Sequence, residues 1–316
     1  MKKTRSIVAL LMTVCMLFAC TTALADEKYE VGIIQLVQHD ALDAATKGFR
    51  DALTAKLGDK VSFDERNASN DITNCSIISN DFAANGVDLI MANATPALQA
   101  AMNATIDIPI LGTSITDYGT ALGMDNWTGV TGMNVSGTSD LAPLDGQAAM
   151  IQEMFPDAKT VALLYCSAEP NSQYQVDVIK GFLTEMGYEC NEYSFTDSND
   201  VSLITEQATE CDVIYIPTDN TAAAYTETIA NVVIPAGKPV IAGEEGICRG
   251  CGVATLTISY YDIGFATGEM AYEILVNGAD VSTMAIQYAP QFTKKYNADN
   301  CQALGITAPE GYVAIE

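Results

Sequence analysis

The chain has 316 residues, 49% of them apolar and 17% charged, with 40 acidic against 15 basic side chains and a net charge of −25. That length suits two domains of common size, and the composition is that of a packed globular chain, not a disordered one. So acidic a chain lacks the clustered Lys and Arg that hold phosphates, which excludes DNA, RNA and anionic lipid surfaces as partners.

The chain opens on "MKKTRSIVALLMTVCMLFACTTALADEKYE": a basic start at Lys2, Lys3 and Arg5, an apolar run over 7–19, then the small-x-small sequence Ala23-Leu24-Ala25 before Asp26. This is an export signal over 1–25, too short and too promptly followed by a cleavage sequence to span a bilayer. Two processing routes are open. Leu17-Phe18-Ala19-Cys20 is similar to a lipobox, in which Cys20 is lipidated and tethers a periplasmic or cell-surface protein, although Phe18 is unusual there and "ALA" before "DE" fits ordinary cleavage well. No later stretch is apolar for long enough to cross a membrane.

From Tyr29 onward, short β-branched runs alternate with amphipathic stretches, the pattern of βαβ units in parallel sheets. "YEVGIIQL" precedes a helix over about 41–57, "VSFDERN" one over 72–85, and "VDLIMANA" leads into Pro96 and "ALQAAMNA", after which "IPILGTS" reads as a strand. "GVTGMNVSGTSDLAP", 129–143, is rich in Gly, Ser and Thr and reads as a crossing segment. The series then restarts: "TVALLYCS", the helix "QVDVIKGFLTEMG", "YECNEYSF", the helix "SLITEQAT", "CDVIYIPTDN", a helix over 222–233, and "KPVIAGEE".

Three local matches support a duplication. "KGFRDAL" pairs with "KGFLTEM", "VDLIMANATPA" with "CDVIYIPTDNTA", and "IPILG" with "KPVIAG", at offsets of 133, 124 and 130 residues. Two α/β lobes in tandem set the carboxyl ends of both sheets around a crevice, where open α/β sheets bind ligands. A second crossing follows "GVATLTISYYDIG", whose helix over 262–277 should return to lobe one, and a third lies near "IQYAPQF". The expected lobes are 28–136 plus about 262–286, and 137–261 plus about 287–316. Several crossings make a hinge.

Chemistry-bearing motifs are few. Cys248-Arg-Gly-Cys251 has redox or half-zinc-site spacing, yet no second pair or nearby histidine completes a metal site, and a loop setting between Gly250, Gly252 and a following strand does not suit a redox helix. It reads as a local disulfide or two thiols. His39 is the only histidine, no G-x-S-x-G elbow presents a serine, and no G-x-x-x-x-G-K-[ST] loop is present. No catalytic residue, metal or cofactor is expected.

"VGIIQLVQHDALDAATKGFRDAL", "ANATPALQAA", "IPILGTSITDYG", "YIPTDNT", "IAGEE" and "ISYYDIG" together resemble the tryptophan-binding type of ABC-transporter substrate-binding protein, a type I periplasmic-binding-protein fold. The resemblance runs through the whole mature chain. It implies two Rossmann-like lobes that close on a small molecule, most often an aromatic amino acid (tryptophan, tyrosine or phenylalanine), and deliver it as a monomer to a membrane permease. A sensor docking to a receptor, or a cleft for a sugar or purine, uses the same fold.

A zwitterion needs donors for its carboxylate and acceptors for its ammonium. Thr95, ahead of Pro96 at a helix start, and Ser114 and Thr116, with no helix pattern directly behind them, supply donors. Asp117, Asp219, Glu244 and Glu245 are the acceptors at strand ends, with Thr218 and Asn220 beside Asp219. Asp219 either grips the ammonium, caps the helix near Thr221, or does both. Gln35, Gln38 and His39 border the first strand end, and Tyr260 at the hinge is the flat partner for an aromatic ring.

Overall fold

The computed structural model describes residues 28–315; the expected export signal over 1–25 and Cys20 fall outside the described residues. Strands β1 (Tyr29–Gln35), β2 (Val61–Asn67), β3 (Leu89–Asn93), β4 (Ile110–Ile115) and β5 (Val135–Ser139) alternate with helices α1 (Asp40–Leu57), α2 (Ile72–Asn85), α3 (Thr95–Ala104) and the short α4 (Tyr118–Leu122). They form one parallel sheet in the order β5-β4-β3-β1-β2.

The same order recurs in the second half. Strands β6 (Thr160–Cys166), β7 (Glu189–Phe195), β8 (Val213–Ile216), β9 (Val240–Ala242) and β10 (Ala254–Thr257) lie as β10-β9-β8-β6-β7. Helices α5 (Leu144–Met154), α6 (Pro170–Glu185), α7 (Val201–Ala208), α8 (Asn220–Ala224), α9 (Thr226–Val233) and α10 (Glu245–Gly250) intervene. Small anchors repeat as well. Asp88, just before β3, accepts from the Glu30 amide at 2.7 Å, and Asp212, just before β8, accepts from the Lys159 amide at 2.8 Å.

The central strands are buried on both faces because helices cover both, which is why they read as unbroken apolar runs. Within β1 and β3 the alternation still sorts the two cores. Ile34 and Ile90 pack with Phe82 and Leu98 from α2 and α3, while Val31, Ile33, Leu89 and Met91 pack with Phe49 and Leu53 from α1. The second sheet divides likewise, with Leu163 and Tyr215 facing α5 and α6 and Leu164 and Ile214 facing α7 to α10.

Three segments join the lobes. Residues 140–143 lead from β5 to α5. After β10, residues 258–259 lead into α11 (Tyr260–Leu275), which lies against α1 of the first lobe. Strand β11 (Gln287–Tyr288) adds to the first sheet beside β5, and residues 289–292 then return the chain to β12 (Thr293–Tyr296), α12 (Ala298–Leu304) and β13 (Val313–Ala314) in the second. Strand β12 runs antiparallel to β10.

Four local expectations are corrected. The Gly/Ser/Thr-rich segment 129–143 holds a wholly buried strand, β5, and only its last residues cross. Its hydroxyls are satisfied one by one: Ser136 donates to Met284 O, Ser139 to Thr116 O, and Thr138 meets Thr267 at 2.8 Å. Gly137 sits at φ +142, where an added Cβ would lie 2.0 Å from the Gly112 carbonyl, so the β4–β5 approach requires glycine. Helix α6 starts at Pro170, ahead of "QVDVIK", because proline fits the first turn. The helix expected over 222–233 breaks at Tyr225 into α8 and α9. Cys248 lies on a helix, α10, not in a loop.

Candidate functional site

The lobes meet along the carboxyl ends of β1, β4 and β5 in the first and β6, β8 and β9 in the second, and residues at those ends line a narrow, nearly filled cavity of about 10 Å³. The first lobe supplies His39, Leu42, Ser114 and Thr116; the second supplies Asn171, Thr218, Asp219, Asn220, Ala223 and Glu244; Asp140 and Tyr260 come from the hinge. The lobes stand closed. Asn70 Nδ2 reaches Thr221 Oγ1 at 3.0 Å, His39 Nε2 lies 3.3 Å from Asn220 Oδ1, and Gln175 Nε2 lies 3.4 Å from Thr116 Oγ1.

The backbone is strained where the first lobe meets the cavity. Ala94, between β3 and α3, has φ +87 and ψ 155, and Ser114, in β4, has φ +55. Side chains rarely adopt these angles, and such outliers persist where the surrounding structure enforces them, commonly at binding sites. Ser114 Oγ is also buried without a hydrogen-bond partner, as are His39 Nδ1 and Asn171 Oδ1 in the same lining; Thr95 Oγ1, directly after Ala94, is unpaired too but lies outside it. Buried polar atoms are almost always paired, so unpaired ones at a cleft mark positions a ligand would satisfy.

The acidic residues divide by what already holds them. Asp219 caps α8, accepting from the Ala222 amide at 2.8 Å, and also accepts from the Cys166 amide at 2.6 Å, which ties α8 to the end of β6. Glu169 accepts from the amides of Asn220 and Thr221 and from both of their side chains. Glu244 caps α10 through the amides of Gly246 and Ile247. From other residues Asp140 accepts only hydroxyls, from Thr116 at 3.1 Å and Tyr260 at 2.9 Å.

Burial raises Asp140 to about 6 and Glu244 to about 7, and burial with the neighbouring Glu169 raises Asp219. Burial lowers the His39 imidazole. No Lys or Arg lines the cavity. Its electrostatics favour a positively charged group.

Gln35, Thr95, Asp117 and Glu245 lie apart from the cavity lining. Gln35 is occupied by Val37 O, Asp43 and Thr46. Asp117 caps α4 through the Thr120 amide at 2.7 Å, so a short helix does follow Thr116. Glu245 points to the outer flank, where it pairs with Arg249 and Lys295. Thr218 Oγ1 accepts from Gln175 Nε2 at 2.5 Å. Tyr118, at the start of α4, is buried in the lobe with its ring stacked on Trp127 at 6.1 Å. Cys248 and Cys251 are free, buried thiols.

Asp140, Glu169, Asn171 and Gln175 escaped the sequence reading. Asp140 sits in a segment read as a crossing, and Glu169 reaches from the start of α6 to the start of another helix, α8, for which no local signal exists.

Residues 30–315 match the family model of the ABC transporter substrate binding protein. The chain belongs to this family. It is 36% identical over 278 residues to a tyrosine-binding protein of Clostridioides difficile, covering 87% of this chain and 80% of that one. Among solved structures, an ABC domain from Streptococcus pneumonia in complex with L-Trp superposes with a TM-score of 0.87 at 30% identity, covering 92% of this chain and all of that one. The ligand-free, open structure of a substrate-binding protein with adhesive properties from Clostridium difficile is more similar in sequence, at 37%, covering 91% of this chain and 99% of that one, but superposes less well, with a TM-score of 0.69. That difference agrees with the closed lobes seen here. The family is one of solute-binding proteins with the type I periplasmic-binding-protein fold.

Proposed function

We propose that this substrate-binding protein takes up an aromatic amino acid, tyrosine or tryptophan foremost, between its lobes and hands it to an ABC permease outside the cytoplasmic membrane. One observation carries the reading: the cavity sets the unpaired hydroxyl of Ser114 on one wall against buried carboxylates elsewhere, with no Lys or Arg in its lining. A zwitterion fits that polarity, its carboxylate toward Ser114 and its ammonium toward the acids. Tyr260 adds a buried aromatic face at the hinge. The tyrosine-binding relative and the L-Trp complex support the aromatic class.

The cavity is tight, so the ligand enters an opened form and closure about the three crossings buries it. The closed form then presents both lobes to the permease, and a monomer suffices for that.

A thermal-shift screen over amino acids, purines and sugars tests the assignment. A ligand selective for the folded state stabilises it by about 2.7 kcal/mol at a hundredfold excess over Kd. L-Tyrosine or L-tryptophan should give a clear upward shift in Tm. A shift with a sugar or purine alone would replace the aromatic assignment.

A further inference from the structure

Four carboxylates are buried around the cleft, and one of them differs from the rest. Glu169, Asp219 and Glu244 each accept backbone amides at the start of a helix, so their charge is partly compensated and is committed to holding α8 or α10. Asp140 is just as buried but accepts no amide from another residue; its partners are two neutral hydroxyls. It is also the first residue of the first crossing, and its partner Tyr260 opens α11 directly after the second. Its other partner, Thr116, belongs to the first lobe and meets Gln175 of the second.

We infer that Asp140 receives the ammonium group of the ligand and thereby couples ligand charge to closure of the hinge. This rests on the amino-acid reading of the cleft. In an open cleft water solvates the carboxylate; closure strips that water, and a buried carboxylate needs a compensating charge or a proton. An ammonium group supplies the charge, placed where two crossings and both lobes converge. A neutral ligand leaves Asp140 uncompensated, so the site discriminates against molecules lacking the amino group.

Proton and ammonium then compete for Asp140. The groups facing the same space are His39 from the first lobe, Asp219 and Glu244 from the second, and Tyr260 from α11, while the Tyr118 phenol behind β4 also feels Asp140. Closure without a ligand raises Asp140 to about 6 by desolvation, so in the closed cleft a proton is the alternative to an ammonium.

Isothermal titration of the full mature chain with L-tyrosine and with its deaminated analogue, 3-(4-hydroxyphenyl)propionate, provides the test. The wild type should prefer the amino acid by about a hundredfold, in the range of a lost charge-assisted contact. Asp140→Asn should abolish most of that preference, whereas Asp212→Asn, which removes a carboxylate anchor just before β8 and away from the cleft, should lower the melting temperature and keep it. Should Asp140→Asn fail to fold, the wild type still decides, because equal affinities for the two ligands overturn the assignment. A preference unchanged in Asp140→Asn likewise overturns it while leaving the amino-acid cleft in place. No binding of any amino acid by the wild type overturns both.

Discussion

Asp219 shows how one side chain can carry a fold and border a site together. Its two oxygens hold the first turn of α8 and the last amide of β6, two segments far apart in sequence. Replacing it with Ala leaves both amides unpaired in a buried setting. Loss of a cap costs about 1 kcal/mol and a stranded buried donor about 1–3 kcal/mol. Asp219→Ala should therefore lower the unfolding free energy of the ligand-free protein by about 2–4 kcal/mol in urea denaturation; a loss under 1 kcal/mol would show that α8 does not depend on it. The sequence left open whether this residue caps or binds, because both roles want an acid at a strand end.

At the scale of elements, the hinge depends on one close helix pair. A Cβ at Gly264 of α11 would lie 2.0 Å from the Ala45 carbonyl of α1, and one at Gly48 of α1 would lie 2.1 Å from the Tyr261 carbonyl. Backbone on both sides leaves no flexible side chain to yield. Gly264→Ala should destabilise the protein by about 2 kcal/mol or more, through forced separation of the helices, as measured by the urea midpoint. A stability unchanged within 0.5 kcal/mol, the usual scatter of an inert substitution, would contradict the contact.

The cysteine pair on α10 and at its C-cap behaves as core. Burial pushes the thiols of Cys248 and Cys251 far up, well out of the range of reactive thiolates. In the native protein an aromatic disulfide reagent should leave both untouched over hours and react with them fully in denaturant. Rapid native labelling of either would revive a redox role.

For the whole molecule, pH acts through the buried acids. Asp140 and Glu244 are raised to about 6 and 7 by burial, and Asp219 is raised as well. An acid raised in the folded state stabilises it fully below its ordinary value, and that stability is lost as pH climbs through the raised one. His39, lowered by burial, opposes this: its contribution holds above 6.5 and fades as pH falls. Asp51, Asp64 and Glu192 are lowered by Lys47, Arg66 and Lys180 respectively, and their support is lost only below about pH 4–5. Three acids outweigh one imidazole, so the Tm of the ligand-free protein should rise between pH 8 and 6. A steady fall over that window would contradict the burial of these carboxylates.

The lobes were legible in the sequence because period-2 apolar runs and a repeated strand order are local signals, and the "VDL" and "CDV" strand starts even keep the same aspartate anchor. Strand β5 was not, since its buried Ser and Thr imitate a loop until their partners are known. The cleft walls at Ser114, Thr116, Thr218, Asp219, Asn220, Glu244 and Tyr260 were legible as polar strand ends or hinge residues. Asp140, Glu169 and Gln175 were not, because their contacts span 24 to 120 residues of chain.

Equilibrium dialysis of the purified mature chain against labelled L-tyrosine tests most directly whether the cleft is an aromatic amino-acid site. The account predicts one tyrosine retained per chain, displaced by L-tryptophan and not by glucose. No retained tyrosine, or displacement by glucose, would contradict it.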